Sequence, residues 1–166
     1  MNLKRLILIS FCALFMAGIA LADWDEGDGH KMHWPQLPDL SPTGMDCEMF
    51  WTPLGDDWQC SQTGPVTDIH IWGSFINDEP PPGGPGSLTF QISIYSNNPG
   101  PPSTPNEPLW GQTFPPGQYT VRMVADNILE DWFDPATGLW LNDNHQQAYQ
   151  YNFFIEEQPF VQEEGQ

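Results

Sequence analysis

The 166-residue chain has almost no positive charge: four Lys and Arg stand against 22 Asp and Glu, for a formal net charge of −18. Two of those four, Lys4 and Arg5, sit at the very start, which leaves Lys31 and Arg122 for everything after them. A field of that sign repels phosphate backbones and anionic lipid, so nucleic acid and anionic membrane surfaces are poor partners. Cysteine is scarce, with three in all, and no Cys/His spacing completes four zinc ligands. Long apolar runs are limited to the N-terminus, so no membrane span is expected beyond it. A sustained 3.6-residue period is missing as well, and 15 Gly with 18 Pro speak against a helical bundle. What the chain does have is aromatic bulk, with 8 Trp, 10 Phe and 4 Tyr in a composition that is 39% hydrophobic. That is enough to exclude full disorder despite the charge.

The first 22 residues have the three parts of a secretory leader. Met1–Arg5 is basic, Leu6–Ala17 is apolar, and Ala20-Leu21-Ala22 fits a signal-peptidase site, with cleavage expected before Asp23. The apolar run is short for a span and an acidic segment follows at once, which favours a leader over an anchor. Phe11 before Cys12 rejects a lipoprotein, since a small residue is needed there. The expected product is secreted, periplasmic or cell-surface, a single domain over residues 23–166. Such a length buries about two-thirds of its unfolded surface. In an oxidising compartment Cys47 and Cys60 are expected to join, closing a short loop worth roughly 3 kcal/mol, with two free buried thiols as the alternative.

Along the chain, Asp23–Leu54 is rich in Asp, Gly, Pro and Trp and reads as an irregular arm with one short strand near Asp46–Trp51. After the Gly64-Pro65 turn, Val66–Phe75 alternates, with Ile69, Ile71, Gly73 and Phe75 on one face and Asp68, His70, Trp72 and Ser74 on the other. Leu88–Tyr95, Tyr119–Ala125 and Tyr149–Ile155 alternate in the same way, and Asp134–Gly138 is a turn between Trp132-Phe133 and Leu139–Leu141. Asn77–Ser87 and Ser96–Pro108 are proline-rich loops that cannot be central strands. Short strands between turn-rich loops define the expected fold class: an all-β, antiparallel, jelly-roll-like β-sandwich with long Pro/Gly-rich loops.

Several stretches carry a resemblance. They are Asp56-Asp57-Trp58-Gln59-Cys60, Ile69-His70-Ile71-Trp72-Gly73, and Phe90-Gln91-Ile92-Ser93-Ile94-Tyr95-Ser96, together with Asp23–Asp39, Asp134–Gly138 and Phe160–Gly165. Together they resemble an uncharacterised family of exported bacterial β-sandwich domains, and the likeness extends over nearly all of residues 23–166. It implies export and fold, and it implies no catalytic residue. The family pattern continues past Glu163-Glu164-Gly165 into a Tyr-Trp strand, which sets the expectation that this chain is incomplete at its C-terminus.

Four constellations bear on chemistry. Asp23, Asp25 and Asp28 form a carboxylate cluster that suits Ca²⁺, although the spacing fails the EF-hand pattern, and a solvated acidic arm is the plainer reading. His30 and His33 lie three apart near Asp28, but flanking Gly29 and Pro35 argue against a shared helical face for zinc. Paired acids such as Asp56/Asp57, Glu130/Asp131 and Glu156/Glu157 arise by chance in so acidic a chain, and no Gly-x-Ser-x-Gly elbow is present. No catalytic residue and no obligatory cofactor is therefore expected. Trp72, Trp110, Trp132 and Trp140 are candidates for stacking on a sugar, against packing as the commoner role of Trp. The expectation is a non-catalytic exported structural or adhesion-type module. Its alternative is a carbohydrate-binding module, Ca²⁺-assisted, facing extracellular polysaccharide or cell-surface components.

Overall fold

The computed structural model describes residues 24–25, 27–30, 36–50 and 53–165. The expected leader, Asp23, and the His33 half of the histidine pair lie outside the described residues. No helix among the described residues is long and apolar enough to cross a membrane.

Ten strands form among the described residues, and the alternation in the sequence explains the longer of them. They are β1 (Met45–Cys47), β2 (Gly64–Pro65), β3 (Asp68–Gly73), β4 (Phe90–Asn98), β5 (Thr104–Phe114), β6 (Tyr119–Ala125), β7 (Glu130–Asp134), β8 (Leu139–His145), β9 (Ala148–Phe154) and β10 (Val161–Gln162). The only helical pieces among the described residues are two 3₁₀ turns, Ile76–Asp78 and Pro85–Ser87. The strands are ordered β1-β7-β8, β3-β9-β6, β4-β5 and β10-β2. The result is the all-β sandwich expected. One pairing departs from a purely antiparallel plan: β1 runs parallel to β7, with Met45, Asp46 and Cys47 opposite Asp131, Trp132 and Phe133.

The core lies between the β3-β9-β6 sheet and the β4-β5 hairpin. Phe90, Phe114, Tyr119, Tyr149, Tyr151, Phe153 and Ile155 are buried there, with Ile69, Ile71, Leu88 and Ile92 packed against them. The apolar faces of β3, β4 and β9 read from the sequence are therefore the inward ones, whereas Met123, on the same side of β6 as the buried Tyr119, is 47% exposed. Phe90 meets Tyr119 edge-on at 5.2 Å and Phe153 at 5.1 Å, a geometry in which ring edges face the negative π-clouds of their neighbours. Burial of a side chain of this size contributes on the order of 2–3 kcal/mol.

The outer face of β9 is not solvated as simple alternation suggests. Gln150 and Asn152 are buried, so each must satisfy its amide. Gln150 accepts from Arg122 Nε at 2.7 Å and donates to the Trp24 carbonyl at 2.9 Å, so the N-terminal arm covers this face. Asn152 pairs with His70 Nδ1 at 2.6 Å and donates to Thr120 Oγ1 at 3.3 Å. His70 thus sits in a hydrogen-bonded polar layer, as its place on the polar side of β3 predicts.

Two expectations are corrected. Ser96–Pro108 is not wholly a loop, because β5 begins at Thr104 and includes Pro105 and Pro108. Prolines are tolerated there because β5 pairs with β4 alone and leaves its other edge unpaired. The expected Cys47–Cys60 disulfide does not form, and both thiols are free. Cys47 is fixed opposite Phe133 by the β1–β7 ladder, whereas the Cys60 carbonyl accepts the Gly165 N–H at 2.9 Å, so separate parts of the sandwich hold the two residues.

Candidate functional site

The three-stranded β1-β7-β8 sheet brings Asp46, Glu130 and His145 together. Glu130 opens β7 and His145 closes β8, and the two are direct partners in the antiparallel ladder. Asp46, the middle residue of β1, arrives by the parallel pairing opposite Trp132. The β7–β8 register shifts between Glu130 and Trp132, an irregularity of the kind that re-aims side chains near functional sites.

His145 Nε2 lies 3.1 Å from Glu130 Oε2 and 3.5 Å from Asp46 Oδ2. The side chain of His145 is fully buried and that of Glu130 is 3% exposed, while Asp46 is 32% exposed. Two buried atoms, Glu130 Oε1 and His145 Nδ1, have no hydrogen-bond partner. Burial pushes the Glu130 carboxyl above the ordinary glutamate range. The negative charges of Asp46 and Asp39 add to that push, and the hydrogen bond with His145 opposes it.

Gly44 makes this packing feasible. A Cβ there would lie 2.0 Å from the Asp39 carbonyl and 2.7 Å from Glu130 Oε1, so no larger residue fits without displacing the backbone. The Gly44 N–H donates to Ser41, and its carbonyl accepts from Asp131, which ties the loop before β1 to β7. Beside the cluster lies a cleft of about 220 Å³ lined by Gln36, Leu37, Asp39, Asp46, Trp72 and Glu130.

The residues singled out in the sequence are dispersed. Asp25 is engaged by Arg122 at 2.5 Å, and Asp28 Oδ2 accepts the Asp25 N–H at 2.9 Å, so these carboxylates hold a turn and a guanidinium. Trp132 is buried. Trp110 packs on the core and donates its indole N–H to the Gln158 carbonyl at 3.1 Å. Trp72 lines the cleft, with Trp24 edge-on against it at 6.0 Å. Trp140 is 48% exposed on β8, the outer strand of its sheet. Its indole N–H is shared between Asp131 Oδ2 at 2.8 Å and Asn142 Oδ1 at 3.1 Å, and its ring leans on Phe133 at 5.4 Å. Glu130 appears in the sequence only as half of an acidic pair, and Asp46 and His145 stand out by no local signal at all.

The class defined so far is an all-β sandwich with a buried histidine–carboxylate cluster beside a cleft that Trp72 lines. The chain belongs to the family described as a domain of unknown function (DUF7901), whose model matches residues 32–166. No curated protein and no solved structure matches the chain.

Proposed function

We propose that the protein works outside the cytoplasm as a non-catalytic β-sandwich module of structural or adhesive type. The observation that carries this reading is Trp140. It is a half-exposed indole on an outer strand, held in place by Asp131, Asn142 and Phe133. A ring already fixed at the surface loses little conformational freedom when a partner covers it, which favours binding. The hairpin that presents it is closed by a hydrogen-bonded turn. Asp134 Oδ1 accepts the Ala136 N–H at 2.8 Å, and Gly138, at φ 74°, closes the turn by donating to the Asp134 carbonyl. Retention of the purified chain on envelopes of the producing cells, reduced by Trp140→Ala, is the expected result. Equal retention of wild type and variant, or none by either, overturns this reading.

The second reading is carbohydrate binding, favoured by polar groups near two of the candidate rings: Asp131 and Asn142 beside Trp140, and Asp39 and Gln36, which line the same cleft as Trp72. An aromatic face with flanking acceptors matches the C–H surface and hydroxyls of a sugar. A glycan array with and without Ca²⁺, followed by tryptophan fluorescence titration, tests it. Silence across plant, algal and bacterial polysaccharides removes it.

A further inference from the structure

Three strands deliver Asp46, Glu130 and His145 to one point, and their spacing is that of a coordination shell. Zinc holds imidazole nitrogen and carboxylate oxygen at about 2.0–2.2 Å, so two vertices of its tetrahedron stand about 3.4 Å apart. His145 Nε2 lies 3.1 Å from Glu130 Oε2 and 3.5 Å from Asp46 Oδ2. One ligand atom from each of the three residues falls within 4.8 Å of the others, and among the described residues this is the group of His, Cys, Asp and Glu that converges so.

The donors and charges are out of balance in the direction a cation corrects. His145 offers a single Nε2 position to two carboxylates. The Glu130 side chain, 3% exposed, turns Oε2 to His145 and keeps its other oxygen, Oε1, without a hydrogen bond. An unpaired acceptor in such surroundings costs about 1–3 kcal/mol. Arg122, the one Lys or Arg among the described residues, is engaged elsewhere by Gln150, Asp25 and the Trp24 carbonyl. No guanidinium or ammonium in the described structure therefore offsets the cluster's charge.

We infer that Asp46, Glu130 and His145 form a binding site for a divalent transition cation of the zinc type. His145 Nε2 and one oxygen each from Glu130 and Asp46 are its protein ligands. The mixed nitrogen and oxygen set favours such an ion over Ca²⁺, which takes six to eight oxygens. Asp46 and Glu130 also line the cleft, which gives the remaining position access to water. Bound there, the ion joins β1, β7 and β8 at one point. This inference is independent of the proposed adhesive role and stands or falls separately from it.

The test uses the purified, tag-free chain stripped of metal. Zn²⁺ is titrated by calorimetry, Co²⁺ by visible spectroscopy and Ca²⁺ as a control. One equivalent of Zn²⁺ is expected, together with an intense tetrahedral Co²⁺ band that Zn²⁺ displaces. Both are expected to vanish in Glu130→Gln. Asp46→Asn, at the most exposed of the three positions, is expected to weaken binding by roughly tenfold or more, since even indirect metal partners are worth on the order of 10–100-fold. Circular dichroism confirms that each variant folds, and if Glu130→Gln fails to fold, Asp46→Asn decides. Absence of stoichiometric Zn²⁺ binding in the wild type overturns the inference. So does binding that Asp46→Asn leaves unchanged, or binding lost instead in His30→Gln or Asp28→Asn.

Discussion

Glu130 and His145 face each other across the β7–β8 ladder, and their side chains meet at 3.1 Å with both almost wholly withdrawn from water. The pair is built around a missing side chain. Where a Gly44 side chain would stand, Glu130 Oε1 and the loop carbonyls of Asp39 and Ser41 already crowd the space.

Gly44→Ala is therefore expected to destabilise the fold. The added methyl would sit 2.0 Å from a backbone oxygen, which a rotamer change cannot relieve. The cost expected for forced overpacking is about 1–3 kcal/mol, read as a lower midpoint in chemical denaturation. An unchanged midpoint contradicts the packing described around Glu130.

Phe153 is fully buried and touches the rings of Phe90, Phe114 and Tyr119. Phe153→Ala leaves a cavity bounded by both layers of the sandwich and is expected to cost about 3–5 kcal/mol in equilibrium unfolding. A loss below about 1 kcal/mol would place the core elsewhere.

The Asp134 carboxylate is held below the ordinary aspartate value of 3.8, chiefly by the Thr137 hydroxyl, with the Ala136 and Thr137 amides adding to it. A carboxyl whose folded value is depressed contributes stability above its unfolded value and loses that contribution as pH falls through the folded one. Wild type is thus expected to melt above Asp134→Asn at neutral pH, and the gap is expected to close as pH drops below 3.8. A gap independent of pH would show that the turn does not use the charge.

Burial pushes the Cys60 thiol above the ordinary value, while Cys47 is only half-buried on β1. A thiol reagent applied to the native chain is expected to modify Cys47 first and to reach Cys60 only on unfolding. Non-reducing mass spectrometry is expected to find no bond between them, and a Cys47–Cys60 crosslink would refute the arrangement of β1 described above.

The strands with clean alternation were legible because each buries one face against the aromatic core: Ile69 and Ile71 on β3, Phe90 and Ile92 on β4, Tyr151 and Phe153 on β9. β5 was hidden by Pro105 and Pro108, which read as loop residues yet suit a strand with one free edge. Gln150 and Asn152 fall between the apolar residues of β9, and nothing local reveals that the arm at Trp24 folds over that side. Trp132 and Trp140 looked equivalent around one turn, but the ladder buries the first and exposes the second. The cluster was the least legible feature, because Asp46 reaches Glu130 and His145 only through a parallel pairing between distant segments. No spacing rule links those three positions.

That parallel pairing also dictates a schedule. Met45 and its register partner Asp131 are 86 positions apart, and Asp68 and Phe154 are separated by the same interval. Contacts of such long sequence separation close late and slow the search for the native state. Only the β4–β5 hairpin and the β7–β8 hairpin are local enough to assemble early. A molecule wired in this way remains open until β9 has been delivered, and until then the aromatic faces of its hairpins stay exposed to water and to one another.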